Sequence, residues 1–288
     1  MRDAGVTIIK LGGSCFSDKK ILRSLHIDVL DSISKQLQGM NVPIVVVHGG
    51  GSYGHPVAKK YEIQKGRQPG VPNQSMGFCL THEAMVDLNR EIVGNMLKHE
   101  IPAYSVQTSA IFTCREGKVK DSNFTTINEL LDQRFVPVLY GDSVVDDAWG
   151  FSILSGDSIV VELANGLHHV VKRIVYLMDV DGLFNVNPKL DSRATLFHEV
   201  SLCGGHLLVK SGKELVKIEN TMEQTDGVID VTGGILNKLT ELQQVRRKGI
   251  EIDLINGRAQ DRLSALLAGQ SVPHTRIHII EEKGESDG

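Results

Sequence analysis

Two glycine clusters, each directly after an apolar strand-like run, are the first candidates for chemistry in this sequence. The first is VTIIKLGGS at residues 6–14, and the second is PIVVVHGGGSYGHP at residues 43–56. Residues without Cβ let the main chain approach a ligand closely and turn several amide groups toward one point, which forms an anion site. A ligand-free turn between a strand and a helix is the alternative for either cluster alone. Two such clusters in one chain favour two phosphate-bearing ligands.

Three lysines lie near glycine-rich strand ends. Lys10 precedes the first glycine pair, Lys19 follows nine positions later, and Lys238 comes shortly after the VTGG segment. Phosphoryl transfer needs neutralised charge on three equatorial oxygens and in-line placement of donor and acceptor, so lysines and convergent amides suffice. We therefore expect the three ammonium groups to meet in one cleft. Solvated surface lysines are the alternative.

No residue stands out as a general base for a hydroxyl acceptor. A phosphate monoester is already largely dianionic at pH 7, because its second pKa is about 6. An acceptor of that kind needs no deprotonation by the protein. The pattern therefore favours an acceptor that is itself a phosphate.

Five motifs occur in the order typical of the amino acid kinase superfamily. They are KLGGS at 10–14, HGGGSYGHP at 48–56, SGD at 155–157, DVDGLF at 179–184 and VTGG with Lys238 at 231–238. The resemblance covers nearly the whole chain. Within the superfamily the chain is most similar to the isopentenyl phosphate kinases, and the specific part is SYGHP at 52–56, which places a histidine at position 55. Fosfomycin kinases carry one too, whereas relatives that phosphorylate carboxylates or UMP generally lack it.

The resemblance implies ATP-dependent phosphorylation of isopentenyl phosphate to isopentenyl diphosphate, and it assigns roles to matching residues. The implied catalytic residues are Lys10, Lys19, His55 and Asp157, the last as an anionic organiser of the lysines. The implied ATP-binding residues are Lys10, Gly12, Gly13, Ser14, Gly51, Asp179, Gly182, Gly233 and Lys238. The implied acceptor-binding residues are Gly50, Gly54, His55 and Gly156. Mg²⁺ would arrive with ATP and needs no protein cage. Ile235 departs from the methionine expected there, which leaves the packing around adenine open.

Strands and helices alternate along the chain, which predicts an α/β fold with a mainly parallel sheet covered on both faces. Together with the resemblance, this predicts a three-layer αβα sandwich, the amino acid kinase fold. Residues 141–157 are typical of a β-hairpin, residues 65–77 of a loop and residues 81–99 of a helix. A short helix is expected near residues 212–224.

Two lobes are expected. The N-terminal lobe, residues 1–168, would bind the phosphate acceptor and part of the ATP phosphates. The C-terminal lobe, residues 169–288, would bind the nucleotide and end in a disordered tail.

Composition indicates a small-molecule enzyme. The net charge is −4 and the basic residues are dispersed, which argues against a nucleic-acid surface. No apolar run is long enough to span a bilayer, so no membrane partner is expected. The four cysteines are far apart without a C-x-x-C pair, which favours reduced thiols in a cytoplasmic protein. The resemblance adds ATP and isopentenyl phosphate as partners and a homodimer as the assembly.

Two alternatives to an isopentenyl phosphate kinase stay open. A phosphonate kinase of the fosfomycin type would have a small polar acceptor pocket in place of an apolar one. A catalytically silent nucleotide-binding regulator could have lost any of the lysines or His55. For an apolar pocket, the candidate floor residues are Met76, Phe78, Met85 and Met96, and an ordinary core is their alternative.

Overall fold

The computed structural model describes residues 5–18, 20–204, 206–211, 214–218 and 239–280. Its strands are β1 Val6–Leu11, β2 Ile44–His48, β3 Ala103–Ser105, β4 Phe112–Arg115, β5 Lys118–Ser122, β6 Val136–Tyr140, β7 Asp142–Asp146, β8 Gly150–Leu154, β9 Val171–Met178, β10 Leu183–Phe184, β11 Leu196–Phe197, β12 Glu199–Cys203, β13 His206–Ser211, β14 Glu214–Ile218, β15 Glu251–Asn256 and β16 Thr275–Ile279. Its helices are α1 Gly13–Phe16, α2 Ile27–Leu37, α3 Gly51–Lys60, α4 Gln74–Lys98, α5 Thr108–Ile111, α6 Thr125–Asp132, α7 Gly156–Gly166 and α8 Arg262–Leu267, with a 3-10 turn at Ile63–Lys65. Residues 239–242 are also helical.

Ten strands form one sheet in the order β14-β13-β12-β16-β15-β9-β1-β2-β6-β3. The central run from β15 to β3 is parallel at every pairing. Antiparallel pairs join β15 to β16, β12 to β13 and β13 to β14. Strand β1 lies inside the sheet and is buried along its whole length, including its two polar residues, Thr7 and Lys10. The mainly parallel sheet is therefore confirmed.

Helices cover both faces of this sheet. Successive residues of a strand point to opposite faces, so Ile8 and Ile9 of β1 enter two different cores. Ile8 packs in the core that α6 and α7 complete, whereas Ile9 packs in the core that α2, α4 and α8 complete. The predicted three-layer αβα sandwich is confirmed.

A second sheet has the order β5-β4-β7-β8. Its strands β7 and β8 form the predicted hairpin, with Asp142 paired to Leu154 at the base and Asp146 paired to Gly150 at the tip. The buried Asp146 carboxylate accepts the amide groups of Gly117 and Trp149, both at 2.8 Å, which fixes the turn. The hairpin base therefore stands at a defined place beside the end of β6.

Two predicted elements are wrong in part. Over residues 214–218 the expected helix is strand β14, which pairs antiparallel with β13. The segments HLLVKS and ELVKI are separated by Gly212 and Lys213, and a two-residue connection with glycine is a hairpin signal that competes with a short helical pattern. The expected loop over 65–77 ends early, because α4 begins at Gln74. A Cβ on Gly77 would lie 2.3 Å from Tyr61, so this glycine lets the first turn of α4 pack closely.

Within the described residues, no helix combines the length and the apolarity that a bilayer crossing would require.

Candidate active site

A cavity of about 280 Å³ lies where the carboxyl ends of β1, β2 and β6 meet. Parallel neighbouring strands bring the loops that follow them to one edge of a sheet, which is where α/β folds bind ligands. The cavity brings together predicted site residues from the two glycine clusters and from the SGD motif at 155–157. They are Lys10, Gly13, Ser14, Gly50, Gly54, His55, Gly156 and Asp157.

The ammonium group of Lys10 forms an ion pair with the carboxylate of Asp157, the second residue of α7. Lys10 is only 3% exposed, and its Nζ lies 5.5 Å from the ring centroid of Tyr176. A buried cation is costly unless a partner compensates it, and the pair does so here. The aromatic face adds a weaker attraction. Asp157 thus holds a positive charge at the cavity wall, as predicted for an organiser of the lysines.

The two glycine loops touch each other. A Cβ on Gly13 would lie 2.8 Å from the Cα of Gly51, and a Cβ on Gly12 would lie 2.7 Å from the carbonyl oxygen of Leu177. Contacts below 3.0 Å are not tolerated by real Cβ atoms, so larger residues would push the loops apart. Gly12 also donates its amide to Leu177 at 2.9 Å. Gly12 and Gly51 therefore support the cavity from behind without lining it.

Helix α3 starts at Gly51, four residues before His55. Gly51 has a φ of +49°, a conformation that glycine adopts without strain. The first amide groups of a helix have no partner inside it and carry a partial positive charge. Gly50, Gly54 and His55 all line the cavity, so the start of α3 faces it.

The N-terminus of α7 forms the opposite wall. Ser155 caps the helix by accepting the amide of Ser158 at 2.9 Å, and Gly156 and Asp157 follow it along the cavity. A Cβ on Gly156 would lie 3.2 Å from the His48 carbonyl oxygen, so this position is tight. Two anion-favouring helix starts therefore converge on one cavity.

Glu241 was missed by sequence reasoning. Its carboxylate accepts hydrogen bonds from Ser158 Oγ at 2.8 Å and from Ser155 Oγ at 3.1 Å. Burial raises the pKa of Glu241, Asp157 raises it further, and the two serine hydroxyls oppose the shift. The available signal was its place three residues after Lys238, a spacing that puts two helical residues on one face. These hydrogen bonds thus join the segment that follows Lys238 in sequence to the start of α7.

Two further predicted nucleotide-binding residues, Asp179 and Gly182, also lie outside the cavity. Asp179 forms an ion pair with Lys189. Burial alone would raise the pKa of Asp179, but hydrogen bonds from Lys189 and Ser14 outweigh it and hold the pKa below its ordinary value. At Gly182 a Cβ would lie 2.2 Å from Thr275 Oγ1, so the turn after β9 needs glycine for packing.

Arg258, which sequence reasoning did not identify, donates to the carbonyl oxygens of Ser14 at 2.7 Å and Cys15 at 2.9 Å. It therefore ties the loop after β15 to the first glycine loop. Lys19, Gly233 and Lys238 lie outside the described residues.

Apolar side chains form the remaining wall, from Ala58 on α3, Met85 on α4, and Ile153 and Leu154 on β8. Met85 packs closely against α3, because a Cβ on Gly54 would lie 2.5 Å from the sulfur of Met85. Of the other candidate floor residues, Met96 is buried in the core below the sheet and Met76 is exposed. Phe78 packs on Phe151, with ring centroids 5.4 Å apart. The cavity lining does not include Met76, Met96 or Phe78.

One polar pair stands at the edge of this wall. Asp142 lines the cavity with a fully buried carboxylate, and Nδ1 of His82 lies 3.0 Å from both of its oxygens. The hydrogen bond to Asp142 raises the pKa of His82 against the opposing effect of burial. The pair joins α4 to β7 across the cavity wall.

The comparisons with known proteins agree with this architecture. The family model described as the amino acid kinase family matches residues 5–256. Isopentenyl phosphate kinase of Methanocaldococcus jannaschii is 32% identical over 96% of this chain and 100% of its own length. That of Methanothermobacter thermautotrophicus is 30% identical over 94% and 98%. A solved structure of isopentenyl phosphate kinase superposes with a TM-score of 0.77 at 28% identity, covering 94% of this chain and 99% of its own.

Proposed function

We propose that this chain, which belongs to the amino acid kinase family, phosphorylates isopentenyl phosphate with ATP to give isopentenyl diphosphate. The full-length similarity to isopentenyl phosphate kinases supports this activity. The reaction is a step of isoprenoid synthesis in the alternative mevalonate route.

The observation that carries the proposal is a single cavity with a cationic, amide-rich side and an apolar side. Lys10 and the starts of α3 and α7 form the first side, and Met85 and Ile153 contribute to the second. A phosphate with a short hydrocarbon tail matches both. A small phosphonate such as fosfomycin would leave the apolar wall without a contact, which disfavours the phosphonate kinase alternative.

In the proposed reaction an oxygen of the acceptor phosphate attacks the γ-phosphorus of ATP. A new P–O bond forms, the bond between the γ-phosphorus and the bridging oxygen breaks, and ADP leaves with that electron pair. Lys10 and Lys19 stabilise the transferred group, and Asp157 holds Lys10 in place. His55 donates to the acceptor phosphate together with Gly50 and Gly156, and Gly54, whose amide is bound to the Gly50 carbonyl oxygen, lines the same side of the cavity.

The nucleotide lies on the other side of the transferred group. Gly13, Ser14 and Gly51 would donate to its phosphates, and Lys238 and Gly233 would approach from the segment before Glu241. Gly12 would only support this loop, because its amide is bound to the Leu177 carbonyl oxygen. Asp179 and Gly182 would border the nucleoside. In this proposal an N-terminal lobe, residues 1–168, binds the acceptor and part of the ATP phosphates, and a C-terminal lobe, residues 169–288, binds the nucleotide.

Mg²⁺ belongs with ATP in this proposal. The described residues hold no group of three or more His, Cys, Asp or Glu side chains suited to a metal ion. Of the two carboxylates that line the cavity, Asp157 is paired with Lys10 and Asp142 with His82. These donors fit a metal held mainly by phosphate oxygens and water rather than by the protein. Bound there, Mg²⁺ neutralises charge on the β- and γ-phosphates. We further propose that the protein is cytoplasmic and that it forms a homodimer.

Steady-state kinetics with purified protein and MgATP tests the function. Isopentenyl phosphate, fosfomycin, acetylglutamate and UMP are compared by ADP release at several acceptor concentrations. We expect the highest kcat/KM for isopentenyl phosphate. Preference for fosfomycin or UMP would overturn the acceptor assignment, and nucleotide binding without turnover of any acceptor would support the silent regulator.

A further inference from the structure

We propose that His48 is a positioning residue whose neutral imidazole, held by Asn89, fixes the second glycine loop for the reaction. His48 is the last residue of β2 and is completely buried. Its Nδ1 lies 3.1 Å from the carbonyl oxygen of Gly49, and its Nε2 lies 3.2 Å from Nδ2 of Asn89 on α4. The inference rests on the proposed function and adds to it a residue that does not line the cavity.

The partners of the ring determine its tautomer. A carbonyl oxygen only accepts, so Nδ1 of His48 must carry the proton that it donates to Gly49. Nε2 of a neutral ring is then an acceptor, and the amide nitrogen of Asn89 is a donor. The acceptor Nε2 requires the Nδ2 group of Asn89, so Asn89 Oδ1 is left to accept from the hydroxyl of Ser105 on β3. A relay from β3 through α4 thus ends at the glycine loop.

The surroundings of the His48 ring fix both its orientation and its charge. The ring stacks on Tyr140 with centroids 5.5 Å apart and 23° between planes, and Phe16 meets its edge. Burial lowers the pKa of His48 to about 4, the Gly49 carbonyl opposes this, and the ammonium group of Lys10 lowers it further. His48 therefore stays neutral near pH 7, and the Gly49 hydrogen bond keeps a single direction.

The hydrogen bonds around Gly49 determine the orientation of the peptide that joins it to Gly50. Gly49 donates its amide to Leu11 at 3.1 Å, and the His48 carbonyl accepts from Gly141 at 3.0 Å. With the imidazole on the Gly49 carbonyl as well, the peptide before Gly50 cannot rotate without breaking a buried hydrogen bond. The peptide between Gly49 and Gly50, two residues that line the cavity, is thereby held in one orientation, which is preorganisation in the sense that catalysis requires.

Asn89→Leu and Asn95→Leu form a matched pair for the test. Both asparagines are buried on α4, but Asn95 bonds Ser34 at 2.8 Å and Asp31 at 2.7 Å, away from the cavity. Loss of either should lower the melting temperature similarly. Asn89→Leu alone should lower kcat/KM for isopentenyl phosphate about tenfold or more, the equivalent of one lost buried hydrogen bond. Equal kinetic constants in the two variants would overturn the proposal.

Asn89→Asp adds a readout that lost packing would not move. A carboxylate only accepts, so the ring keeps its bond to Gly49 only when it is doubly protonated. Relative to wild type, kcat/KM of Asn89→Asp should therefore recover as pH falls from about 8.5 to about 6.5, a range in which His charge responds to its partners. The Asn89→Leu ratio should stay constant, because leucine has no titratable group. A ratio for Asn89→Asp that is independent of pH would contradict the proposal.

Nitrogen NMR of the wild-type imidazole keeps the proposal testable if the variants do not fold. We expect His48 to show a protonated Nδ1 and an unprotonated Nε2, unchanged between about pH 8 and pH 5 because its pKa is about 4. An Nε2–H tautomer or a titration in that range would overturn the assignment. If the wild type does not use isopentenyl phosphate, the proposed function fails, while the tautomer and the nucleotide affinities of the two variants still decide the role of His48.

Discussion

At the scale of single residues, the site depends on a lysine that is buried before any ligand binds. A lysine side chain is almost never fully buried unless it is paired, and the Lys10 pair with Asp157 meets that condition. The sequence could predict that Lys10 matters, since it stands beside a glycine pair. It could not show that Asp157, 147 positions later, is the partner without the family resemblance.

Lys10→Met should lower kcat far more than it raises the KM of either substrate. Loss of one donor to charge that develops in the transition state costs about 3–4 kcal/mol, roughly a hundredfold or more in rate. Steady-state kinetics on the folded variant measures the effect. Lys65→Met is the control, because Lys65 is exposed and paired with Glu62 through a surface contact worth little. Near-normal kcat in Lys10→Met would remove Lys10 from the catalytic residues.

His55→Ala should reduce kcat/KM for the acceptor strongly and change the apparent affinity for ATP by no more than a few-fold. An imidazole at a helix start can donate to a phosphate dianion, which favours its protonated form. His55→Gln keeps an N–H donor without the charge, so its activity should lie between those of wild type and His55→Ala. His99→Ala, beyond the end of α4, serves as the control. Weaker ATP binding with unchanged acceptor kinetics would exchange the roles of the two glycine loops.

At the scale of elements, strand ends were predictable and helix faces were not. The runs before Gly12 and Gly49 are apolar and β-branched, so their strands and the loops after them follow from the sequence. Methionine composition near α4 suggested a pocket floor, but it does not say which way each side chain points. Met85 faces Gly54, whereas Met96 lies 11 residues later and packs in the core. That difference depends on how α4 packs against α3.

Gly54→Ala should impair acceptor use, because the added Cβ would lie 2.5 Å from the sulfur of Met85. Met85→Ala should admit longer prenyl monophosphates, and combined with Gly54→Ala it should restore much of the lost acceptor affinity. The measurement is kcat/KM against acceptors of increasing chain length. Met96→Ala is the matched control, expected to cost about 2–5 kcal/mol of stability without changing length preference. Identical length profiles for the Met85 and Met96 variants would place the tail elsewhere.

The hydrogen bond of His82 to Asp142 joins α4 to the hairpin, and it should make stability depend on pH. The folded pKa of His82 is raised by Asp142, so the stabilisation is fully present below the unfolded value of about 6.5 and is lost as pH rises through the folded pKa. Denaturant unfolding of wild type and His82→Gln should therefore differ more at pH 6 than at pH 9. In an Asp142→Asn background the difference should become independent of pH. A larger difference at pH 9 would contradict this sign.

At the scale of the whole molecule, the αβα sandwich follows from alternating strand and helix patterns together with the order of five motifs. The predicted membership of the amino acid kinase superfamily is confirmed. Strand β14 escaped prediction, because the pattern of a five-residue segment does not separate a strand from a helix. Glu241 and Arg258 escaped it for a different reason. Their partners come from strand and helix ends far away in sequence, and only the assembled sheet brings them together.

The most direct test of the central claim is phosphorus NMR of the products formed from MgATP and isopentenyl phosphate. If the acceptor is a phosphate, the new resonances must be the two coupled doublets of an isopentenyl diphosphate, appearing in step with ADP. The control reaction contains Lys10→Met protein at the same concentration. ATP converted only to ADP and inorganic phosphate, with the isopentenyl phosphate resonance unchanged, would contradict the account.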